Sequence, residues 1–458
     1  MPISLDYTNM FLPGSVTDAG WEEARGRFRG AFAAVNGKHA RGELGFVDLP
    51  ADAALLAQTT DFAARARGRY ADVLLLGIGG SALGPIALRT ALRPPAWNTL
   101  SDAERDGHPR LHVLDNVDPD TIAATLGHLD LARTVVLVVS KSGGTAETMA
   151  QYLLVRRALD EAVGGAARDH LVFVTDPEKG SLRPIARAEG LAALDIPQNV
   201  GGRFSVLTPV GLLPAALIGV DVAGLLAGAA EMRDRCRTDD LAANPAGTYA
   251  ALQYLAHTAH GKPIQVLMPY ADPLRDLAAW FVQLWAESLG KVRPDGTSVG
   301  PTPLPALGAT DQHAQVQLFM EGPADKTVTF VAVAGREGRG PIPALHADVP
   351  DLAYLGGHTL GELLDVERRA TAGALARRGR PNMTFTLDAV DARHVGGLMF
   401  LLEMATAYAG EFYGVDAFNQ PGVELGKQFT YGMLGRPGFE QARADFDQLP
   451  APDPRRRV

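Results

Sequence analysis

Cysteine is nearly missing from this sequence. Cys236 is the only one in 458 residues, which excludes an intrachain disulfide and any cysteine-built metal site and suits a reducing compartment. Long apolar runs are missing as well. The most apolar uncharged stretch, Ser205 to Val220, is broken by Pro209 and Pro214 and stops at Asp221, too short to span a bilayer. The opening residues, MPISLDYTNMF, lack the basic segment and apolar core of a signal peptide, so a cytoplasmic location without membrane attachment is expected. Positive charge is not in excess. A formal net charge of -9 argues against a general nucleic-acid binder, although a local basic pocket for a small anion stays open. The PRRRV tail reads as solvated.

Lysine is also scarce, with seven among 43 basic residues. Where arginine is the default cation, a lysine set among glycines in a motif points to a use for a compact ammonium, and this picks out Lys141, Lys291 and Lys427. What remains, 47% hydrophobic and 21% charged residues, describes an ordinary globular chain long enough for two cores.

Hydrophobic periodicity then organises the chain. Trp21, Ala24, Phe28, Phe32 and Val35 carry helical spacing, and a second helix is predicted over Asp52 to Ala66. A βα alternation follows, with strands at Val73 to Leu76, Leu111 to Leu114, Val135 to Val139 and Leu171 to Thr175. Uniformly apolar runs of this kind predict buried strands of a parallel sheet. A second alternation has strands at Ile264 to Met268, Val328 to Ala334 and Met383 to Leu387. Its helices are expected from Asn244-Pro245, at Pro273 to Leu289, near Gly361 to Arg377 and at His394 to Tyr413. Gly290 to Gly308 is expected to be a loop. The fold class implied is α/β, with doubly wound, mainly parallel sheets that bind ligands at the carboxyl ends of their strands.

Two loops fall at those ends. Ser140-Lys-Ser-Gly-Gly-Thr145 follows the third strand, offering three hydroxyls and a helix N-terminus for an anion. Gly77-Ile-Gly-Gly-Ser81 follows the first. Taken alone, the former is also an ordinary strand-to-helix turn. The latter satisfies a permissive GxGxxA dinucleotide pattern, but the acid ending the next strand, Asp115, lies beyond the usual interval. Further along, Gln283 and Glu287 share a helix face near its C-terminal end. Glu287 is either a partly desolvated general base or a surface acid paired with Lys291. Arg203 after Gly201-Gly202, His313 after the Pro/Gly loop, and Lys427 after Gly426 are each unspecific singly.

Together, GIGGSALGP, SKSGGTAET, VGGRFS, WAESLGK, GATDQHAQVQL and QPGVELGK, in that order, resemble the glucose-6-phosphate isomerase family over about Val73 to Lys427. The resemblance implies two three-layer α/β/α sugar-isomerase-type (SIS) domains. The expected division is an N-terminal helical segment (1–45), a first domain with the phosphate loops (46–222), a second domain (223–415) and a C-terminal segment (416–458). It implies reversible isomerisation of glucose 6-phosphate and fructose 6-phosphate, a step of glycolysis and gluconeogenesis, with no metal or organic cofactor. It also implies a homodimer with active sites at the subunit interface.

By motif, the phosphate is expected on Ser81, Ser140, Lys141 (through its backbone), Ser142 and Thr145, with Gly80 and Gln420 lining the sugar. Glu287 is expected to be the base, with Gln283 beside it, and Arg203 to stabilise the enediolate. His313, reaching from the partner subunit, and Lys427 are expected to open the ring. A dual phosphoglucose/phosphomannose isomerase and a non-catalytic sugar-phosphate-binding regulator are the competing readings. The second leaves Glu287, His313 and Lys427 unexplained.

Overall fold

A computed structural model describes residues 3–336, 338 and 340–458. Twelve strands are found among them: β1 Ile3–Asp6, β2 Asp72–Leu76, β3 Arg110–Leu114, β4 Thr134–Val139, β5 Leu171–Thr175, β6 Ala192–Asp195, β7 Ile264–Pro269, β8 Lys291–Val292, β9 Ser298–Val299, β10 Thr302–Pro305, β11 Lys326–Val333 and β12 Asn382–Leu387. The first sheet, ordered β3-β2-β4-β5-β6, is parallel throughout. The second, β1-β12-β11-β7-β10, is parallel except for its antiparallel edge β1. The predicted α/β class with mainly parallel sheets is what the chain adopts.

Every residue of β2, β4 and β5 is buried, as uniformly apolar strands covered on both faces must be. Side chains still alternate between faces. Val73, Leu75, Val135 and Leu137 point into a core that continues through helices 209–217, 245–258 and 392–413 to Met383, Phe385 and Leu387 of the second sheet. Leu74, Leu76, Val136 and Val138 face a separate core on the outer side. Val266, Met268, Val328 and Phe330 do the same for the second sheet. The two sheets therefore share a central helical layer, and one apolar core spans both halves of the chain.

The predicted helices and strands are present, and five strands, β1, β6, β8, β9 and β10, were not anticipated. β10 lies inside the expected Pro/Gly loop. It is tolerated there because it is an edge strand: the amides of Thr302 and Ala306 face β7, donating to Pro263 and Leu267 carbonyls at 2.7 and 3.0 Å. The alternate positions, Pro303 and Pro305, have no N–H to leave unpaired on the outer edge. β1 brings the N-terminus onto β12, with Ile3 opposite Leu387. β6, Ala-Ala-Leu-Asp, has little intrinsic strand preference and is set by pairing with β5. Among the described residues no helix is long and apolar enough to cross a membrane.

A close helix crossing joins Val222–Arg235 to Ala392–Tyr413. Glycines make it possible from both sides. A Cβ at Gly396 would fall on the Leu225 carbonyl, and one at Gly228 on the Arg393 carbonyl. Alanine normally gains about 1 kcal/mol over glycine inside a helix. Gly396→Ala should nevertheless lose about 1–3 kcal/mol through overpacking and lower the thermal midpoint. Gly26→Ala, on an exposed helix face with nothing within 4 Å, should raise it. Equal shifts in calorimetry would mean that the crossing is not limiting.

Candidate active site

The chain runs from β2 outward to β3 and returns to β4 on the other side of β2. The carboxyl ends of β2 and β4 thus flank the point where strand order reverses, which is where open α/β sheets leave a crevice. Both small-residue loops sit there. Gly79–Ser81 forms a short 3-10 turn with Gly79 at φ +55°, and a Cβ at Gly80 would fall on the Gly202 carbonyl. The β2 loop therefore presses directly against the loop that carries Arg203.

In the second loop Gly143 has φ +60°, and a side chain there would also strike the Ser181 amide. Thr145 occupies the N-cap of helix Ala146–Val163 but makes no side-chain cap bond. Its Oγ1 instead lies 3.1 Å from Ser140 Oγ and 3.3 Å from Ser142 Oγ, so the three hydroxyls converge. Lys141 turns its ammonium onto the carbonyls of Gln198 and Val200 at 2.8 and 2.6 Å. Burial lowers the pKa of that ammonium. With the Lys141 ammonium so engaged, what this loop presents to the crevice is hydroxyls and main chain.

Glu287 comes from helix Arg275–Leu289. The opposite face of that helix is anchored by fully buried Trp285, whose Nε1 donates to Gln265 of β7 at 2.6 Å. The anchor turns Glu287 toward the crevice. Its Oε2 accepts from Gln283 Nε2 at 3.1 Å, and its Oε1 lies 3.9 Å from Arg203 Nη1. The alternative of a surface pair with Lys291 is not what forms, because Lys291 Nζ donates to main-chain carbonyls. The Arg203 side chain is 2% exposed. It donates to Ser288 Oγ at 2.7 Å, Gln420 Oε1 at 3.0 Å, and the carbonyls of Ala417 and Asn419 at 2.5 and 2.8 Å. Burial lowers its pKa and the neighbouring Glu287 opposes the shift, while a guanidinium stays charged across the working range.

One cavity of about 440 Å³ collects Gly80, Ser81, Lys141, Ser142, Thr145, Arg203, Gln283, Glu287, Gln420 and Lys427. Ser140, buried beneath Thr145, supports the hydroxyl cluster. Lys427, on helix Glu424–Met433, is half exposed and paired with Glu424 at 2.9 Å. His313 is not brought in. It is exposed on the turn Thr310–His313, which is ordered by Asp311 accepting from the Leu307 amide at 2.6 Å and from Gln315 at 2.9 Å. Sequence reasoning passed over Asp176, Lys179 and Gln198, which also line the cavity. The one available signal was Asp176-Pro177 at the end of a strand. Among the described residues no three His, Cys, Asp or Glu side chains cluster to hold a metal ion.

A hydroxyl cradle at a switch point, facing a carboxylate set beside a buried guanidinium, brings together in one α/β crevice groups able to bind an anion and to move a proton. The comparisons name the family. The phosphoglucose isomerase family model matches residues 56–449, and the chain belongs to that family. Its relatives include the glucose-6-phosphate isomerase of Carboxydothermus hydrogenoformans, 45% identical with 97% of each chain covered. That of Rubrobacter xylanophilus is 47% identical, covering 95% of this chain and 99% of the relative. Among solved structures, a hypothetical protein from Thermus thermophilus superposes with a TM-score of 0.85 at 40% identity, covering 95% of this chain and all of that one. A glucose-6-phosphate isomerase from Chlamydia trachomatis matches in fold with a TM-score of 0.81, over 98% of this chain and 92% of that one, at 23% identity.

If the hydroxyl cluster holds a phosphate, Ser140→Ala and Thr145→Ala should each raise KM for a phosphorylated sugar about tenfold, the cost of a hydrogen bond to a charged group. Their kcat should change much less. A loss confined to kcat would give this loop a different job.

Proposed function

We infer that the chain interconverts glucose 6-phosphate and fructose 6-phosphate as an aldose–ketose isomerase. The observation that carries this reading is the placement of Glu287 and Arg203, 3.9 Å apart, in the same cavity as the Ser81 and Ser142–Thr145 loops. The phosphate is held by the loops, away from the reacting carbons, and that fixes the geometry. In the open-chain aldose, Glu287 takes the C2 proton while the electron pair moves to the C1 carbonyl oxygen, giving a cis-enediolate. Arg203 supplies the fixed positive charge facing that oxygen pair. Return of the proton to C1, with the O2 proton passing to O1, leaves the ketose. One base serves both directions because the proton is taken and given back.

Ring opening precedes this. Lys427 lines the cavity, and His313 completes the pair when it is delivered by a second copy. The exposed, ordered turn that carries His313 supports a homodimer in which each site combines Glu287 and Lys427 of one subunit with His313 of the partner subunit.

Glu287→Gln keeps the shape and removes the base. It should retain sugar-phosphate binding while turnover falls by about 10²–10⁴-fold, read in a coupled assay with fructose 6-phosphate in and glucose 6-phosphate out. Turnover near that of the unmodified chain would sink the assignment. The shared site has its own test. Glu287→Gln and His313→Ala preparations, each inactive, should regain activity when dissociated and reassociated together, since a mixed dimer contains one intact site. No regain, with mixed dimers demonstrated, would place His313 elsewhere.

A further inference from the structure

Of Lys141, Lys291 and Lys427, Lys291 is the one for which ring opening, proton transfer and phosphate binding have no use. It follows Gly290, the residue that ends the Glu287 helix, and begins the small β8–β9 pairing opposite Val299. Among the described residues its Nζ forms no ion pair with a carboxylate at contact distance. It donates to the main-chain carbonyl of Glu287 at 2.6 Å and to that of Ser288 at 2.8 Å. These carbonyls belong to the base and to the residue whose Oγ accepts from Arg203 at 2.7 Å. One ammonium therefore ties down the last helical turn at the two positions on which the carboxylate–guanidinium geometry depends. A cation there also offsets the negative end of the helix dipole. Lys291 lines the cavity of about 600 Å³ that reaches Gln283 and Glu287, as well as the neighbouring one of about 830 Å³.

Resting on the isomerase reading above, we propose that Lys291 is a positioning residue for the reaction, whose charged ammonium holds Glu287 against Arg203. The charged groups around it are Arg203, Asp416 and Glu287, with Arg293 on the wall of the same cavity. Burial, reinforced by Arg203 and opposed by Asp416 and Glu287, pulls the ammonium down from 10.5 to about 8.

The sign follows by linkage. Below about pH 8 the folded chain keeps Lys291 charged although burial disfavours it. Between there and the unfolded value, the folded chain has released a proton that the unfolded chain retains, so this group's contribution to stability rises with pH. Activity that depends on the charge falls over the same interval. Opposed pH trends of stability and turnover are what a merely structural lysine would not produce.

The test measures kcat and KM for fructose 6-phosphate with the full chain from neutral to about pH 10, for the unmodified protein, Lys291→Met and Lys291→Arg. Lys291→Met should lower kcat at neutral pH about tenfold through misplacement of the base, with KM little changed. It should also lose the fall in kcat centred near pH 8. Lys291→Arg keeps the charge and should restore much of kcat while moving that fall to higher pH. A Lys291→Met profile parallel to that of the unmodified protein, or an unaltered kcat, overturns the proposal. If Lys291→Met does not fold, persistence of the fall near pH 8 in Lys291→Arg overturns it equally. An unmodified protein without turnover would sink the isomerase reading and this inference with it, whereas an active one with an unmoved profile sinks this inference alone.

Discussion

The buried guanidinium of Arg203 holds together parts of the chain that are far apart in sequence. It joins its own loop at the end of the first sheet to Ser288 on the helix bearing Glu287, and both to the carbonyls of Ala417 and Asn419 and the amide oxygen of Gln420. Burying a charge is costly unless its hydrogen bonds are met, and here each nitrogen has an acceptor. The arrangement is also selective. A lysine has one nitrogen and no fork, so it cannot hold a helix, a loop and a C-terminal segment in one plane. Without Arg203, the entry to the C-terminal segment would lose its tie to the cavity, and Glu287 would lose the guanidinium set against its carboxylate.

That interaction works because the two halves of the chain share one core. The inner faces of both sheets and the helices between them form a single apolar cluster. The helix bearing Glu287 is pinned to β7 of the second sheet through Trp285 and Gln265, while the hydroxyl-bearing loops belong to the first sheet. A distance such as the 3.9 Å between Glu287 and Arg203 is therefore fixed by packing rather than by a flexible connection, as positioned acid–base groups require. Glycine supplies the last element at Gly80, where the loop meets the Gly202 carbonyl and no side chain fits.

Much of this was legible beforehand, for particular reasons. Val135 to Val139 reads as a buried strand because only a doubly covered strand is apolar at every position. Gln283 and Glu287 read as neighbours because four residues make about one helical turn. Other features were not legible. β10 hides behind Pro303 and Pro305, which disfavour a strand unless it lies at an edge, and edge status comes from the sheet. Thr145 looks like a capping residue, but its hydroxyl turns to Ser140 and Ser142 because the loop folds over itself at Gly143. Lys291 looks like the ion-pair partner of Glu287 at i+4, but the end of the helix at Gly290 places its ammonium on main-chain carbonyls.

What the sequence determined by itself was the inventory and its order: six motifs, the apolar runs that dictate parallel strands, and the single cysteine that rules out stapling. These depend on local periodicity and residue chemistry, which act within a few positions along the chain. Tertiary structure alone decided which groups meet. It put the β2 and β4 loops at one crevice, set Glu287 beside Arg203 from the other half of the chain, and left His313 exposed on a turn away from that cavity. Such contacts join residues separated by tens to hundreds of positions, and only the shared core, with the strand-order reversal between β2 and β4, brings them within reach.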